Sequence, residues 1–196
     1  MSFLLLHGWQ NRRPPGHWHH WLAGELTAAG RHVVYPQLPE PDKPVLADWL
    51  AALHAHLASM PAGERTVVCH SLGCLLWLNA AATGQVTQPV DRVLLVAPPG
   101  PDVTVAIPEI AGFLPPPATT GQLGAAGRHT RLVCSDNDPY CPAGAAADYG
   151  VPLGIPVTVL HGAAHLDIDA GYGPWPSIRD WCLSGSPDAP LSARAG

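Results

Sequence analysis

The run at residues 67–73 constrains the fold more than any other part of the sequence. It is an apolar segment that ends at Ser71, and a helix-forming run over 72–83 follows at once. A strand, a sharp turn at a serine and a helix form a nucleophile elbow, which holds the serine in a strained conformation with its hydroxyl exposed. The residues two positions before and after the serine approach each other, and both Cys69 and Gly73 are small. We therefore predict an elbow at Ser71, with Cys69 in place of the usual glycine.

Short apolar runs alternate with helical patterns along most of the chain. The expected strands are rich in Val and Leu and cover residues 3–7, 32–35, 66–70, 92–97, 130–134 and 157–161. The expected helices cover residues 18–29, 45–60, 72–83, 143–149 and 175–183. Repeated β-α-β units form parallel sheets that are covered on both faces. We therefore predict an α/β fold, a three-layer α/β/α sandwich whose mostly parallel, doubly wound sheet has about six strands.

A chain of 196 residues is long enough for one domain, which we place at residues 1–184. Residues 99–128 interrupt the alternation, because they are rich in Pro, Gly, Ala and Thr with one apolar piece at 107–114. We interpret them as a lid-like loop with a small helical piece over the carboxyl ends of the strands; a passive surface loop is the alternative. Residues 185–196 are polar, and we predict a flexible tail there.

The composition argues against several classes of function. The net charge is −5, with no basic block, so we expect no nucleic-acid partner. No apolar stretch approaches the ~18 residues of a spanning helix, and no basic region of a signal peptide precedes the first apolar run. We therefore expect a cytoplasmic protein that does not enter membranes. The five cysteines lack metal or redox spacing, which indicates free thiols.

A serine nucleophile needs a base, and the base needs an acid that orients it. In triads whose serine lies in a nucleophile elbow, the acid follows the serine along the chain, and the histidine comes last. The expected strand at 130–134 is followed by two candidate acids, Asp136 and Asp138. We favour Asp138, because it leaves the loop enough length to reach the base. A turn-forming aspartate is the alternative interpretation of either residue.

Two histidines follow the last expected strand, at 157–161. His161 ends the strand, where a packed or hydrogen-bonded role is more common. His165 lies in the loop beyond Gly162, from which it can reach over the serine. We therefore predict His165 as the base.

Backbone N–H groups are expected to stabilise the oxyanion that forms when the serine attacks. One should come from Leu72, after the nucleophile, and the other from Trp9, in the loop after the first strand. Gly8 allows the backbone of that loop to approach the substrate. We expect Gly8, Trp9 and His70 to contact the substrate. The alternative is that His7 and Gly8 only end a strand.

The run 17–20, His-Trp-His-His, raises the question of a metal. It lacks the spacing of four residues between histidines and a nearby carboxylate set, so we predict no metal site. His17 and Trp18 are expected to begin the first helix and pack it on the sheet. The sequence has no glycine-rich phosphate loop or dinucleotide motif, and we expect no cofactor.

These motifs together resemble the small YdeN-like serine hydrolases, a family of the α/β-hydrolase superfamily that includes the retinoblastoma-binding serine hydrolase. The resemblance runs from about residue 3 to residue 183. It rests on the first strand with its His-Gly turn, the His17-Trp18 pair, the Cys-His-Ser-Leu-Gly elbow, the loop Ser135-x-x-Asp138-Pro139-Tyr140-x-Pro142 and the late His165. The family's triad falls by position on Ser71, Asp138 and His165. Cys69 departs from the family's glycine.

The leading hypothesis from these residues is a hydrolase of small carboxylic esters that works through an acyl-enzyme. Trp9, Leu72, Ile107 and Phe113 are expected near the mouth of the site, which favours small acyl chains. A thioesterase or amidase would use the same groups. Two other hypotheses are a binding protein with little or no catalysis, for which the resemblance makes a protein partner possible, and an acyltransferase with a site that excludes water.

Overall fold

A computed structural model describes residues 1–194 as a parallel sheet with helices on both faces. The six strands of the described residues are β1 (Ser2–Leu6), β2 (His32–Val34), β3 (Arg65–His70), β4 (Val90–Val96), β5 (Gly127–Ser135) and β6 (Val157–Leu160). Their order in the sheet is β2-β1-β3-β4-β5-β6, and every pair is parallel. The predicted fold is confirmed, and the sheet is parallel throughout.

Seven α-helices connect and cover the strands in residues 1–194. They are α1 (Trp18–Ala28), α2 (Leu46–Ser59), α3 (Leu72–Ala82), α4 (Pro101–Ala106), α5 (Thr120–Ala126), α6 (Val151–Leu153) and α7 (Pro176–Ser184). A 3-10 turn at Ala111–Phe113 and a π-helical turn at Ala146–Gly150 complete the helical structure. The helix predicted at 143–149 therefore begins later and continues into α6.

The sheet separates two hydrophobic cores because successive strand residues point to opposite faces. In β1, Leu4 and Leu6 belong to the core under α2, α3 and α5, whereas Phe3 and Leu5 belong to the core under α1 and α7. α3 is buried along its whole length, which fits a helix that is apolar on every side. The burial of β1 and α3 fixes the positions of their ends, where the candidate site lies.

Residues 99–128 contain more helix than the expected loop with one small helical piece. α4 begins at Pro101, which suits the first turn of a helix, and α5 begins with a capping box between Thr119 and Gln122. The Gln122 side chain donates to the carbonyl of Ala82 at 2.6 Å, so α5 packs against the end of α3. α5 leads directly into the first residue of β5, so the last part of the segment lies at the amino ends of the strands. The Pro and Gly content hid short, locally capped helices.

Residues 185–194 have no helix or strand, but they lie against the domain instead of extending into solvent. Leu191 is buried, Trp175 Nε1 donates to the Ser192 carbonyl at 2.7 Å, and Arg131 donates to the Ala189 carbonyl at 2.7 Å. These contacts argue against the predicted flexible tail over 185–194. Its last two positions, 195 and 196, are outside the described residues.

All five cysteines are buried free thiols, as the sequence indicates. None of the helices in residues 1–194 has the length and apolar character needed to cross a membrane.

Candidate active site

The sharp turn at Ser71 has the strained geometry of a nucleophile elbow. Ser71 has φ 52° and ψ −124°, between the last residue of β3 and the first residue of α3. Its backbone N–H donates to the Val96 carbonyl at 2.9 Å, which ties the turn to β4. Cys69 is fully buried in the core beneath α3, so a cysteine is accommodated where the elbow pattern has glycine. The predicted strand, turn and helix are all present.

Two glycines allow the end of β1 to lie against this turn. A Cβ atom added to Gly73 would meet the Leu6 carbonyl oxygen at 2.5 Å, which no real side chain tolerates. A Cβ atom added to Gly8 would lie 2.7 Å from Ser71 Cβ. β1 and β3 are neighbours from which the chain goes to opposite sides of the sheet, and ligand sites lie at such switch points.

Ser71, His165 and Asp138 form a continuous chain of hydrogen bonds. His165 Nε2 lies 2.9 Å from Ser71 Oγ, and His165 Nδ1 lies 2.9 Å and 3.0 Å from the two oxygens of Asp138. Because an ionised carboxylate only accepts, Nδ1 carries the proton and Nε2 is free to accept from the serine hydroxyl. Asp138 also accepts from the Tyr140 N–H at 2.8 Å, as in an Asx turn. The structure brings together the three residues of the predicted triad.

The two rival residues form a pair of their own. His161 Nδ1 lies 2.6 Å from Asp136 Oδ2, and both side chains are exposed. The hydrogen bond from the Gly162 N–H, with that from His161, lowers the pKa of Asp136. His161 is hydrogen-bonded, as the end of a strand suggested, but it is not part of the core, because β6 ends at Leu160 and the His161 ring lies in solvent.

The two residues predicted as oxyanion donors, Leu72 and Trp9, line the same cavity as Ser71. Leu72 is the first residue of α3, and the first N–H groups of a helix have no carbonyl partner within it. The Gly8–Trp9 peptide follows β1, and His7 fixes its orientation. His7 Nε2 accepts from the Leu38 N–H at 2.9 Å, so Nδ1 carries the proton and donates to the Gly8 carbonyl at 2.8 Å. In a trans peptide the Trp9 N–H then points the opposite way.

A cavity of about 400 Å³ opens onto Ser71. Its apolar lining includes Trp9, Leu72, Pro99, Ile107 and Ile110, and its charged lining includes Arg12, Asp167 and Asp169. Phe113 was expected at this mouth but is buried against Trp49, with ring centroids 5.1 Å apart. The 3-10 turn that carries Phe113 directs its ring into the core, whereas Ile107 and Ile110 line the cavity.

The family model described as serine hydrolase matches residues 3–183. The chain belongs to this family. The YdeN protein of Bacillus subtilis (strain 168) is 23% identical to it over 180 residues, which are 90% of this chain and 91% of that protein. The sequence-based resemblance to YdeN-like hydrolases is therefore confirmed.

Solved structures share the fold of this serine hydrolase. The crystal structure of the B. subtilis ydeN gene product has a TM-score of 0.81 at 20% identity, covering 94% of this chain and 97% of that chain. A YdeN-like protein from Pectobacterium atrosepticum has a TM-score of 0.67 at 21% identity, covering 93% and 89%. A structure of the metagenome-derived lipolytic enzymes LipS and LipT has a TM-score of 0.68 at 15% identity, covering 93% and 91%.

Behind the triad of this hydrolase lies a cluster of buried histidines. The rings of His17, His19 and His70 lie 5.1–6.0 Å apart between centroids. Burial lowers the pKa of His17 to about 4 and the pKa values of His19 and His70 well below 6.5, so all three are neutral near pH 7. His17 caps α1 by accepting from the His19 N–H, and Trp18 is buried, as predicted for the start of this helix. No group within residues 1–194 has the arrangement of three or more metal ligands.

Several residues that hold the loop of His165 were not predicted from the sequence. Ser135 and Asn137 accept from the N–H groups of Ala163 and Ala164, at 2.9 Å and 2.8 Å. Tyr140 packs against the His165 ring, with centroids 4.5 Å apart. Polar residues at 135–138 after a buried strand were a usable signal, because side chains of this kind bind backbone groups of nearby turns. His70 was expected to contact substrate; it lines the cavity but is 3% exposed, and its ring donates to a backbone carbonyl.

Proposed function

We propose that this serine hydrolase cleaves small carboxylic esters through an acyl-enzyme at Ser71. The observation that carries the proposal is the continuous hydrogen-bonded row from Ser71 Oγ through His165 to Asp138, which begins at a strained turn and opens onto a cavity. A buried and correctly oriented base is what converts a weakly nucleophilic hydroxyl into a reactive one.

In the first half of the reaction, Ser71 Oγ attacks the acyl carbonyl carbon while His165 Nε2 takes the hydroxyl proton. Asp138 keeps the proton of His165 on Nδ1 and stabilises the imidazolium that forms. The N–H groups of Leu72 and Trp9 bind the tetrahedral oxyanion; one such donor contributes about 3 kcal/mol in comparable sites. His165 then gives its proton to the leaving alcohol oxygen as the carbon–oxygen bond breaks.

In the second half, water replaces the alcohol. His165 removes a proton from the water, whose oxygen attacks the acyl carbon, and the collapse of this intermediate returns the proton to Ser71 and releases the acid. These reaction steps require only the ester, water and groups of the protein. The same steps serve a thioester or an amide, which differ in the leaving group.

The size of the cavity favours a substrate with a small acyl group. Its volume of about 400 Å³ lies near the lower end of ligand cavities, which span about 300–1,000 Å³. Trp9, Leu72 and Ile107 form an apolar surface beside Ser71 that suits a short hydrocarbon chain. Arg12, Asp167 and Asp169 line the same cavity and would meet a polar leaving group.

The test is labelling with a fluorophosphonate probe followed by peptide mass spectrometry, together with a series of p-nitrophenyl esters of increasing acyl length. We expect stoichiometric modification of Ser71 and a rate that falls with chain length. Ser71→Ala should lose both while keeping the melting temperature. A folded protein that neither labels nor hydrolyses the esters would contradict the proposal and favour a binding role.

A competing alcohol in the ester assay separates hydrolysis from acyl transfer. For a hydrolase, we expect the free acid as the main product. A new ester as the main product would identify an acyltransferase.

A further inference from the structure

We propose that His70 is a positioning residue for His165, in addition to being the neighbour of the nucleophile. His70 Nε2 lies 3.0 Å from the backbone carbonyl oxygen of His165. A carbonyl oxygen only accepts, so the His70 ring carries its proton on Nε2 and donates it. One residue thus joins the nucleophile turn directly to the backbone of the base. The proposal rests on the proposed function of Ser71 and His165.

The backbone around His165 requires such support because it is strained on both sides. Ala164 has φ 46° and Leu166 has φ 55°, in the left-handed region that residues other than glycine rarely adopt. The segment lies beyond the end of β6, so no ladder of strand hydrogen bonds fixes it. Conformations of this kind persist only when the surrounding structure holds them.

The N–H groups of the turn are held from one side by the acid loop at 135–138. The amides of Gly162, Ala163 and Ala164 donate to Asp136, Ser135 and Asn137, at 2.8–2.9 Å. Asp138 then meets the His165 ring. This loop therefore fixes the turn relative to Asp138, and none of these bonds involves Ser71.

The carbonyl groups of the turn are held from the other side by buried rings. His70 binds the His165 carbonyl, and Trp18 Nε1 donates to the Leu166 carbonyl at 2.8 Å. Both rings are almost fully buried, at 3% and 0% exposure, and their own rings pack edge to face. Of these two donors, only His70 adjoins Ser71 in the chain. It is the contact through which the separation of His165 Nε2 and Ser71 Oγ is fixed.

The two halves of the support predict a specific failure. Loss of the His70 donor leaves Asp138 and His165 paired but allows the imidazole to move relative to Ser71 Oγ. A displacement of about 1 Å between reacting groups lowers rates by about 100-fold. Substrate binding in the cavity should change little, so the loss should fall on kcat and not on KM.

His70→Gln and His70→Met are a matched pair for this test. The Gln Nε2 and the Met Cε lie the same number of bonds from Cα as the His Nε2, but only Gln offers a donor. We expect His70→Met to lower kcat and the rate of fluorophosphonate labelling by 10- to 100-fold with KM within about threefold. His70→Gln should recover at least tenfold of that loss.

Leu57→Ala is the control for destabilisation, because Leu57 is buried near the end of α2 and does not line the cavity at Ser71. It should lower the melting temperature without changing kcat. Equal kcat values for His70→Met and His70→Gln, or a change confined to KM, would overturn the proposal.

A readout that does not depend on activity is the downfield imidazole proton of His165 in the NMR spectrum, shared with Asp138. This proton signal should persist in His70→Met, whereas the hydrogen bond between His165 Nε2 and the Ser71 hydroxyl should become more labile. If the parent protein has no ester activity but shows this imidazole proton, the proposed function fails while the support by His70 is still measurable. Loss of the proton in both variants would contradict the support as described.

Discussion

Two aspartate–histidine pairs lie side by side at the carboxyl edge of the sheet. They have the same chemical groups, but they differ in burial and in their neighbours. Asp136 and His161 are 2.6 Å apart with side-chain exposures of 45% and 85%, whereas Asp138 and His165 are 2.9 Å apart with exposures of 2% and 8%. Only the buried pair has a serine at the second imidazole nitrogen. In the proposed function the longer bond is the catalytic one, because burial and the serine at the second nitrogen, and not proximity, make the histidine a base.

The largest expected difference between the pairs comes from their histidines. His165→Ala should lower kcat/KM for a short ester by about 10⁵-fold, because removal of the base leaves the Ser71 hydroxyl unactivated. His161→Ala should stay within about threefold of the parent. Ester hydrolysis under matched conditions checks both. Similar losses in the two variants would show that the exposed pair also takes part.

Substitution of the two aspartates should give a somewhat smaller difference in activity. Asp138→Asn should lower kcat by about 10⁴-fold, since an amide can donate to Nδ1 and so favour the wrong tautomer of His165. Asp136→Asn changes a side chain that holds the Gly162 N–H, and we expect a loss below tenfold. Rates with a chromogenic ester provide the measurement. The opposite order of the two losses would reassign the acid to Asp136.

Acid should lower the free energy of unfolding through the buried histidines. Burial lowers the pKa of His7 and of His17 to about 4, against about 6.5 in an unfolded chain. These histidines therefore bind protons below pH 6.5 in the unfolded chain, but only near pH 4 in the folded protein. Stability is complete above pH 6.5 and falls as the pH drops to 4, by up to about 3 kcal/mol for each residue. Urea unfolding across this range measures the fall.

The control for the acid effect is a pair of variants. His17→Asn keeps an acceptor that can cap α1 but removes the titrating ring, so its stability should fall less steeply below pH 6.5. The nearby carboxylate of Asp167 opposes the shift of His17 without cancelling it. Ser192→Ala, which changes an exposed side chain without a titrating group, should keep the parental slope. A slope that is unchanged in His17→Asn would exclude this residue as a source of acid sensitivity.

The smallest expected effect concerns the loop that carries both acids. Asn137→Ala removes the acceptor for the Ala164 N–H and for the Ser135 hydroxyl, yet Asp138 keeps its bond to His165. We expect a three- to tenfold loss of kcat with KM unchanged. Steady-state kinetics beside Ser192→Ala, a surface residue near the end of the chain, provides the comparison. No loss in Asn137→Ala would mean that His70 and Trp18 suffice to hold the turn.

Most of the fold and the identity of the three central residues could be predicted because their signals are local. Strands such as β1 are apolar after their first residue, and Ser71 lies directly between an apolar strand and a helix. The order of Asp138 and His165 after their strands follows from chain connectivity. Patterns of this kind depend on the nearest residues in sequence, so they remain legible without any tertiary contact.

The helices within 99–128 and the contacts of 185–194 were not predicted, because they depend on distant partners. α5 is held by a side-chain bond to the end of α3, and the terminal segment is held by Trp175 and Arg131. Their proline and glycine content is typical of loops when read alone. Phe113 was misplaced for a related reason, since a single 3-10 turn decides whether its ring faces the cavity or the core.

The sequence by itself determined a parallel α/β domain with a serine elbow, and it put an acid and a histidine after the right strands. The periodicity of apolar residues and the order of the chain are sufficient for that. Only the tertiary structure decided which of two aspartate–histidine pairs is buried against the serine, and that His70 supports the backbone of His165. These choices depend on distances between residues up to 95 positions apart in the chain, which hydrophobic patterns do not encode.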